Sequence, residues 1–530
     1  MTTDGERPRR FVLFAAAIVL TAAGAVLFRL PRLEQRPMHT DESVHTAKAG
    51  ILIEQGEYTY DPHEYHGPTI YYFALPFVWL SGARSLADTS EWMFRIVPVV
   101  FGTGLVLLLL LAGDGMGRLA AVIAGVLTAV SPAMVFYSRY YIQEMLLVFF
   151  TFGVFVCLWR YTQTRRFLWA LPGGLCAGLM HATKETCIIS FAAMAVGFVG
   201  AWLWGRWQDG IVIDRRKIFR KHHAAAAAIM ALCISAPFLS GFFRNPRGQL
   251  DAWLTYATYL RRASGVGIHE HPWHYYLEML LYTNNAPGPW WSEGLILGLG
   301  LVGVVAALRR RPAPVTVIEK TRPIAFYRFV VFYAAFTILV YSFIPYKTPW
   351  CMLSFLHAMI LLAGYGAATL ILKIPTAPAK AVVAVLLALG VYQLGHQAYR
   401  ANYLYAADTR NPYVYGHTSS DVFDLAQRAD DIAAVAPEGR DMLIKVLTKD
   451  CWPLPWYLRR FTRVGYWPGP IDQPDAAMVI TAAEFEDDVA ARLEDDYQVN
   501  YFGLRPEVLV AVFVRQDLWH AFIEKRSSPE

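Results

Sequence analysis

Eleven apolar runs, most of them about as long as a bilayer core requires, divide the first 400 residues: 11–30, 94–112, 119–137, 142–159, 167–183, 187–204, 224–242, 291–308, 326–344, 351–372 and 380–398. About 20 apolar residues in a helix cover roughly 30 Å of hydrocarbon, so the pattern predicts a polytopic α-helical membrane domain. The first run, FVLFAAAIVLTAAGAVLFRL, is longer than the apolar core of a secretory signal and no small-residue cleavage site follows it. It predicts a retained signal-anchor helix. A further apolar stretch, TIYYFALPFVWLSG at 69–82, is shorter, contains Pro76 and ends at Gly82. It predicts a helix lying in the membrane interface.

From about residue 400 the pattern becomes mixed. SSDVFDLAQRADDIAAVAP (419–437) places Val422, Leu425, Ala429 and Ile432 at helical spacing behind a serine cap. MLIKVLT (442–448), AAMVITAA (476–483) and VLVAVFV (508–514) predict short buried strands, and EFEDDVAARLEDD (484–496) a helix. The predicted organisation is a membrane domain over 1–400, with a first loop at 31–93 that carries the chemistry, and an α/β domain over 401–530.

Composition agrees with this reading: 55 % of the 530 residues are hydrophobic and the mean hydropathy is +0.32. The formal charge of +6 is distributed among short loops and does not form one basic patch, which argues topology and not nucleic-acid binding. Arg7, Arg9 and Arg10, the loops at 160–166, 205–223 and 309–323, and Lys373 with Lys380 alternate with loops poor in Lys and Arg. By the positive-inside rule the N-terminus is expected in the cytoplasm, the C-terminal domain outside, and the protein in the plasma membrane. Five of the six cysteines lie in or beside apolar runs, and Cys451 alone lies in a polar region, so no disulfide framework or CxxC metal motif is expected.

With orientation set, the polar residues that interrupt the apolar pattern fall on the outer face. They are Asp41 and Glu42 in PMHTDESVHTAKAG; His63, Glu64 and His66; Arg139, Gln143 and Glu144 in YSRYYIQEM; Lys184 and Glu185 in MHATKET; and Lys347 in IPYKTPW. Charges at helix ends on one face suggest an interfacial site, since a proton path would need them near the midplane. Carboxylates suit a general base or a metal, and Lys and Arg suit a departing phosphate. Each residue also has a plainer reading. Thr40 or Asp41 could cap a helix with Glu42 facing its dipole, and Glu144, Lys184 and Lys347 could snorkel at span ends. Asp41 and His45 share a helix face, but HTDESVH is not the HExxH zinc motif. A divalent metal therefore stays a candidate cofactor only, with His45, His66 and Glu185 as candidate substrate or metal contacts.

An Asp-Glu pair just after the first span, a loop leading through His66-Gly67-Pro68 into an interfacial helix, and Glu144 opening the fourth span resemble the GT-C superfamily of membrane glycosyltransferases. The resemblance is to the branch holding protein O-mannosyltransferases and the lipid A aminoarabinose transferase. HATKET, IPYKTPW and WPLPWYLR resemble a flippase-activity-associated subfamily. The resemblance implies inverting transfer of a sugar from a polyprenyl-phosphate donor to an acceptor hydroxyl of a protein, lipid or glycan. It implies Asp41 as base, with Glu42 and Glu144 completing the catalytic set, and Lys184, Lys347 and Arg139 on the donor phosphate. His-Gly-Pro and the YYIQEM setting of Glu144 depart from the usual pattern and bear on the donor sugar. The aromatic-rich loop at 253–291 is a candidate acceptor surface or an interfacial anchor. The competing reading is a non-catalytic lipid-linked glycan flippase or a subunit of one. A secondary transporter lacks its inverted repeat and midplane charge pair here.

Overall fold

The structure is a computed structural model that describes residues 6–63, 66–210, 220–263, 269–285, 287–309 and 318–527. Its N-terminal part holds α1 (Glu6–Arg29), α2 (Thr40–Gln55), α3 (Thr69–Leu80), α4 (Glu91–Met116), α5 (Arg118–Val130) and α6 (Pro132–Tyr137). Next come α7 (Glu144–Thr164), α8 (Phe167–His181), α9 (Cys187–Asp209), α10 (Lys221–Leu239), α11 (Gly248–Ala263) and α12 (Tyr275–Leu281). A two-stranded ribbon of β1 (Thr283–Asn284) and β2 (Trp290–Trp291) precedes α13 (Gly294–Leu308), α14 (Ile318–Phe343), α15 (Leu353–Lys373) and α16 (Ala377–Tyr399).

All eleven apolar runs form helix, and among the described residues eight helices are long and apolar enough to span a membrane. The other three, α5, α8 and α13, are 13, 15 and 15 residues long. α5 is continued by α6 after a break at Ser131, whose side chain accepts from Met134 N. The eight spanning helices make the chain an integral membrane protein. Leu13, Leu20 and Leu27 on α1 and Val382, Val385, Leu386 and Leu389 on α16 stay outside the protein interior, as a lipid-facing surface must. α3, the interfacial helix expected at 69–82, is 12 residues long and carries exposed Trp79 and Leu80.

Helix contacts inside the bundle depend on small residues, because lipid tails are as apolar as leucine and only close packing favours association. α8 and α10 meet at Gly174 and Gly178, one turn apart, where a Cβ would lie 2.2 Å from Ala227 O and 2.5 Å from Ala231 O.

Beyond α16 the chain continues through α17 (Asp421–Ala433), β3 (Ile444–Leu447), α18 (Leu454–Tyr457), β4 (Val464–Trp467), β5 (Met478–Ala482), α19 (Glu486–Ala490), β6 (Tyr497–Arg505), β7 (Val508–Arg515) and α20 (Gln516–Ser527). The sheet order is β4-β3-β5-β7-β6, with β3 parallel to β4 and β5, and β7 antiparallel to β5 and β6. Val422, Leu425, Ala429 and Ile432 of α17 are buried against Val446, Ile480 and Val512 of the sheet, as their spacing predicts. The helix expected at 484–496 forms only at Glu486–Ala490. In that segment Val489 alone is buried, so acidic residues without packing partners end the helix. β4 and β6 are additional to the expected strands; their half-buried residues carry little apolar alternation.

Residues 400–418 belong physically to the bundle. Tyr413 and Trp456 pack into the membrane-domain core, while the sheet domain has a core of its own. We expect Gly178→Val to lower stability by about 1–3 kcal/mol through overpacking at α10. Gly24→Ala, where a Cβ meets nothing within 4 Å, should be neutral. Thermal unfolding of the detergent-solubilised protein measures both, and equal unfolding temperatures for the two variants would refute the close-packing account.

Candidate active site

The chain between α1 and α2 is irregular, and its carbonyls would be left without donors at a bundle end unless side chains reached them. Arginines supply the donors. Arg139 Nη1 donates to Arg29 O and Pro31 O, both at 2.7 Å, and Nη2 to Arg32 O at 3.1 Å. Arg95 Nη1 donates to Leu33 O at 2.6 Å and Arg36 O at 2.8 Å, and Nη2 to Pro37 O at 3.0 Å. Glu42 balances this charge. It accepts from Arg36 Nη2 at 3.0 Å on both oxygens, from Arg95 Nε at 2.8 Å and Nη2 at 2.7 Å, and from the backbone N–H groups of Tyr141 at 2.9 Å and His39 at 3.0 Å. Burial pushes its pKa upward, but the Arg36 and Arg95 guanidiniums hold it well below the usual carboxylate range.

Two of the expected site residues have their partners inside the protein. Glu42 has no exposed surface and accepts six hydrogen bonds, which tie the linker before α2 to α4 and to the linker before α7. Arg139 is engaged by carbonyls and by Tyr403 Oη at 3.2 Å.

The cap on α2 is His39, not Thr40 or Asp41. Its Nδ1 accepts from Asp41 N at 3.0 Å, and Glu42 closes the reciprocal half of a capping box. With Nδ1 an acceptor, Nε2 is the protonated nitrogen and donates to Tyr415 O at 3.0 Å. Burial, chiefly, lowers the His39 pKa, in keeping with a neutral ring. Asp41 sits in the first turn with its side chain 44 % exposed, its Oδ2 4.0 Å from His39 Nδ1.

The C-terminal part grips this turn. Met38 N donates to Tyr457 Oη at 2.8 Å, Thr418 Oγ1 donates to Met38 O at 2.6 Å, and Arg505 Nη1 reaches Thr40 Oγ1 at 3.3 Å. Tyr457 lies in WPLPWYLR, whose Trp456 Nε1 also donates to Glu91 at 2.9 Å at the start of α4.

One turn along α2, buried His45 has Nδ1 3.0 Å from Tyr71 Oη of α3, and its pKa is lowered to about 3, mainly by burial and then by His66. His66 is 6.3 Å away ring to ring, and its Nδ1 donates to Glu185 Oε2 at 2.8 Å. Glu185 also accepts from Tyr60 Oη at 2.8 Å; burial pushes its pKa up, but His66 and these bonds hold it below the ordinary value. Gly67 permits the approach: a Cβ there would lie 2.1 Å from Ala182 O.

Glu144 and Lys184 form a buried ion pair. Burial acts to lower the Lys184 pKa, and the Glu144 carboxylate raises it above its ordinary value. Glu144 Oε2 and both amide atoms of Gln143 are buried without protein partners. Unpaired polar atoms in that number at one helix start mark a place for substrate or water. Lys347 Nζ donates to Ile344 O at 2.5 Å and His271 O at 3.0 Å, and burial lowers its pKa. Among the described residues no three His, Cys, Asp or Glu side chains converge as metal ligands.

A family profile described as dolichyl-phosphate-mannose-protein mannosyltransferase matches residues 69–244. No curated protein sequence matches the chain. Among solved structures, ArnT from Cupriavidus metallidurans bound to undecaprenyl phosphate aligns with a TM-score of 0.63 at 17 % identity, over 93 % of this chain and 97 % of that one. The fold is GT-C. The oligosaccharyltransferase AglB from Archaeoglobus fulgidus, in complex with an inhibitory peptide and a dolichol-phosphate, aligns with a TM-score of 0.56 at 13 % identity, over 97 % of this chain and 77 % of that one.

Within this GT-C fold the segments carrying Asp41, His66, Glu144, Lys184 and Lys347 lie close to one another. The structure adds Arg36, Arg95, Tyr60 and Tyr457. Arg95 had a signal in the sequence, a charge at the second position of the apolar run 94–112, which nearly always needs a buried partner. Tyr457 had the WPLPWYLR string around it, and Tyr60 had none. We expect Glu42→Gln to cost about 3–5 kcal/mol, because two buried guanidiniums lose their counter-charge. A Glu42→Gln protein that unfolds at the wild-type temperature would show that the knot contributes little.

Proposed function

We propose that the protein transfers a sugar from a polyprenyl-phosphate-linked donor to an acceptor hydroxyl, with inversion, at the extracytoplasmic face of the plasma membrane. The observation that carries this reading is the difference among the site carboxylates. Glu42, Glu144 and Glu185 are each paired with a cationic or imidazole partner, whereas Asp41 presents a side chain 44 % exposed, held in the first turn of α2 by the His39 cap. A base that must meet an incoming hydroxyl has to be charged, positioned and reachable, and Asp41 has the position and the reach. The GT-C fold supports the reading, since ArnT carries undecaprenyl phosphate and AglB a dolichol-phosphate.

In the reaction the acceptor oxygen attacks the anomeric carbon from the face opposite the phosphate. The C–O bond to phosphate breaks with its electron pair leaving on the phosphate oxygen, and the acceptor proton passes to Asp41. Lys184, with Glu144 fixing its ammonium, and Lys347, whose third N–H remains beyond its two carbonyl contacts, balance charge on the phosphate. Glu42 and Arg139 act as positioning groups.

Asp41→Asn should reduce turnover by about 10²- to 10⁴-fold while the protein folds normally, because His39 and not Asp41 caps the helix. Near-normal consumption of polyprenyl-phosphate sugar by that variant would refute Asp41 as base. For orientation, Ser420 is exposed, and Ser420→Cys should react with an impermeant maleimide in intact cells. Reaction seen only after permeabilisation would put the site on the other face.

A further inference from the structure

The turn between α10 and α11 holds its backbone in an uncommon conformation. Gly241, Phe242 and Phe243 have φ of 57°, 55° and 69°, three consecutive left-handed residues of which two are bulky. A residue with a Cβ rarely adopts this region, and where it does the surroundings must over-determine it. Here they do. Phe242 N donates to Pro237 O at 2.7 Å, Asn245 N to Ser240 O at 2.9 Å and Phe243 N to Ser240 Oγ at 3.0 Å. The turn thereby displays both rings. Phe242 meets Tyr72 and Phe238 yet is more than half exposed, and Phe243 is 69 % exposed.

α11 continues the display. Leu250, Trp253, Leu254 and Ala257 recur at helical spacing and all four are exposed, while Ala252 and Thr255 on the other side are buried. An amphipathic helix on a water-facing surface turns its apolar stripe to the core, and α11 turns it out. Apolar surface exposed in this way marks a contact with something apolar. Its surroundings indicate what that is. α10, which leads into the turn, has lipid-facing Ile229 and Leu232, and Tyr256 Oη of α11 lies 3.7 Å from Cys187 Sγ at the start of α9, beside exposed Ile188. The apolar face of α11 therefore adjoins the hydrocarbon-facing surface of two spanning helices. Arg247, also exposed, stands between Phe243 and Leu250.

We propose that residues 242–257 dock on the bilayer itself. Phe243 and the face made by Leu250, Trp253, Leu254 and Ala257 enter the acyl chains of the leaflet on the side of the site, with Arg247 at the level of the lipid phosphates. Of the two uses open to the aromatic-rich loop at 253–291, α11 takes the anchoring one. The inner side of the same segment is keyed to the chain that joins α2 to α3. Arg244 Nη1 donates to Gly56 O, Gly241 lies where a Cβ would be 2.4 Å from Tyr58 O, and Thr255 Oγ1 meets Tyr60 Oη at 3.1 Å and Pro62 O at 3.2 Å. Docking therefore sets the height above the bilayer of the loop between the helix that carries Asp41 and the interfacial α3. It does not depend on the reaction proposed above.

The test uses the full-length protein in phosphatidylcholine nanodiscs, with trifluoromethyl-phenylalanine replacing Phe243, Trp253 or, as a water-side reference, the exposed Tyr501 of β6. The ¹⁹F lines at positions 243 and 253 should broaden when doxyl-labelled phosphatidylcholine is included and stay sharp with an aqueous gadolinium chelate. The line at position 501 should do the reverse. Lines at 243 and 253 that broaden with the chelate and not with the doxyl lipid overturn the docking and leave this face to a water-borne partner. The link to the site has its own readout. Leu254→Asp should raise deuterium uptake over residues 56–62 about twofold, with uptake in β5 and β7 at the wild-type level. Unchanged uptake over 56–62 overturns the link. Should Leu254→Asp fail to fold, Phe243→Gly, which suits the left-handed backbone and removes the exposed ring, is read in the same way.

Discussion

A carboxylate fully removed from solvent needs every one of its lone pairs satisfied by charge or strong donors, and Glu42 is held under that constraint by six bonds from three separate segments. Arg36 comes from the linker after α1, His39 from the cap of α2, Arg95 from α4 and Tyr141 from the linker before α7. Desolvating one such ion costs several kcal/mol even after relaxation, so the arrangement is stable only when all partners arrive together. The same guanidiniums satisfy the carbonyls of the irregular chain between α1 and α2, which makes charge pairing and backbone pairing a single problem with a single solution. The position of Asp41, the residue immediately before Glu42, follows from it.

Around this knot the charged residues at the bundle end divide into three kinds. Arg29, Arg95 and Arg139 terminate helices and loops by donating to carbonyls. Lys184 with Glu144, and His66 with Glu185, are pairs at helix ends that retain exposure or unpaired polar atoms nearby. Glu293 is a third kind, a buried carboxylate that accepts from Ser131 Oγ at 2.6 Å, Ala133 N at 2.9 Å and Tyr413 Oη at 3.1 Å. It joins the start of α6 to the chain after α16, with no cation among those partners and with burial raising its pKa. Charge type alone therefore does not separate structure from chemistry in this protein. The count of partners and the exposure left over do.

The C-terminal domain has its own hydrophobic core, and together with the chain that leads into it from α16 it holds the first turn of α2. Tyr457 Oη and Thr418 Oγ1 hold the two sides of Met38, and the Tyr415 carbonyl accepts from His39 Nε2. Because His39 caps α2, these contacts act on the orientation of its first turn. Trp350 of the IPYKTPW segment packs against His39 and Tyr415, with ring centroids 5.8 and 6.0 Å apart, which brings the Lys347 loop into the same assembly.

The sequence by itself determined the membrane helices, the interfacial α3, the buried stripe of α17 and the set of polar segments that meet at one end, because each of these depends on local periodicity and on the exclusion of charge from hydrocarbon. Tertiary structure alone decided which of those charges remain reachable. Asp41 and Glu42 are adjacent, both acidic and both in the first turn of one helix, and nothing local distinguishes them. Glu42 faces Arg36 of its own linker and Arg95 from α4 while Asp41 faces outward, and Arg139 and, through His271 O, Lys347 are drawn to carbonyls that only the folded chain brings near. The reason is that helix formation is written in neighbours three and four residues away, whereas the partner of a buried charge lies wherever packing of the whole bundle places a counter-charge or an unpaired carbonyl.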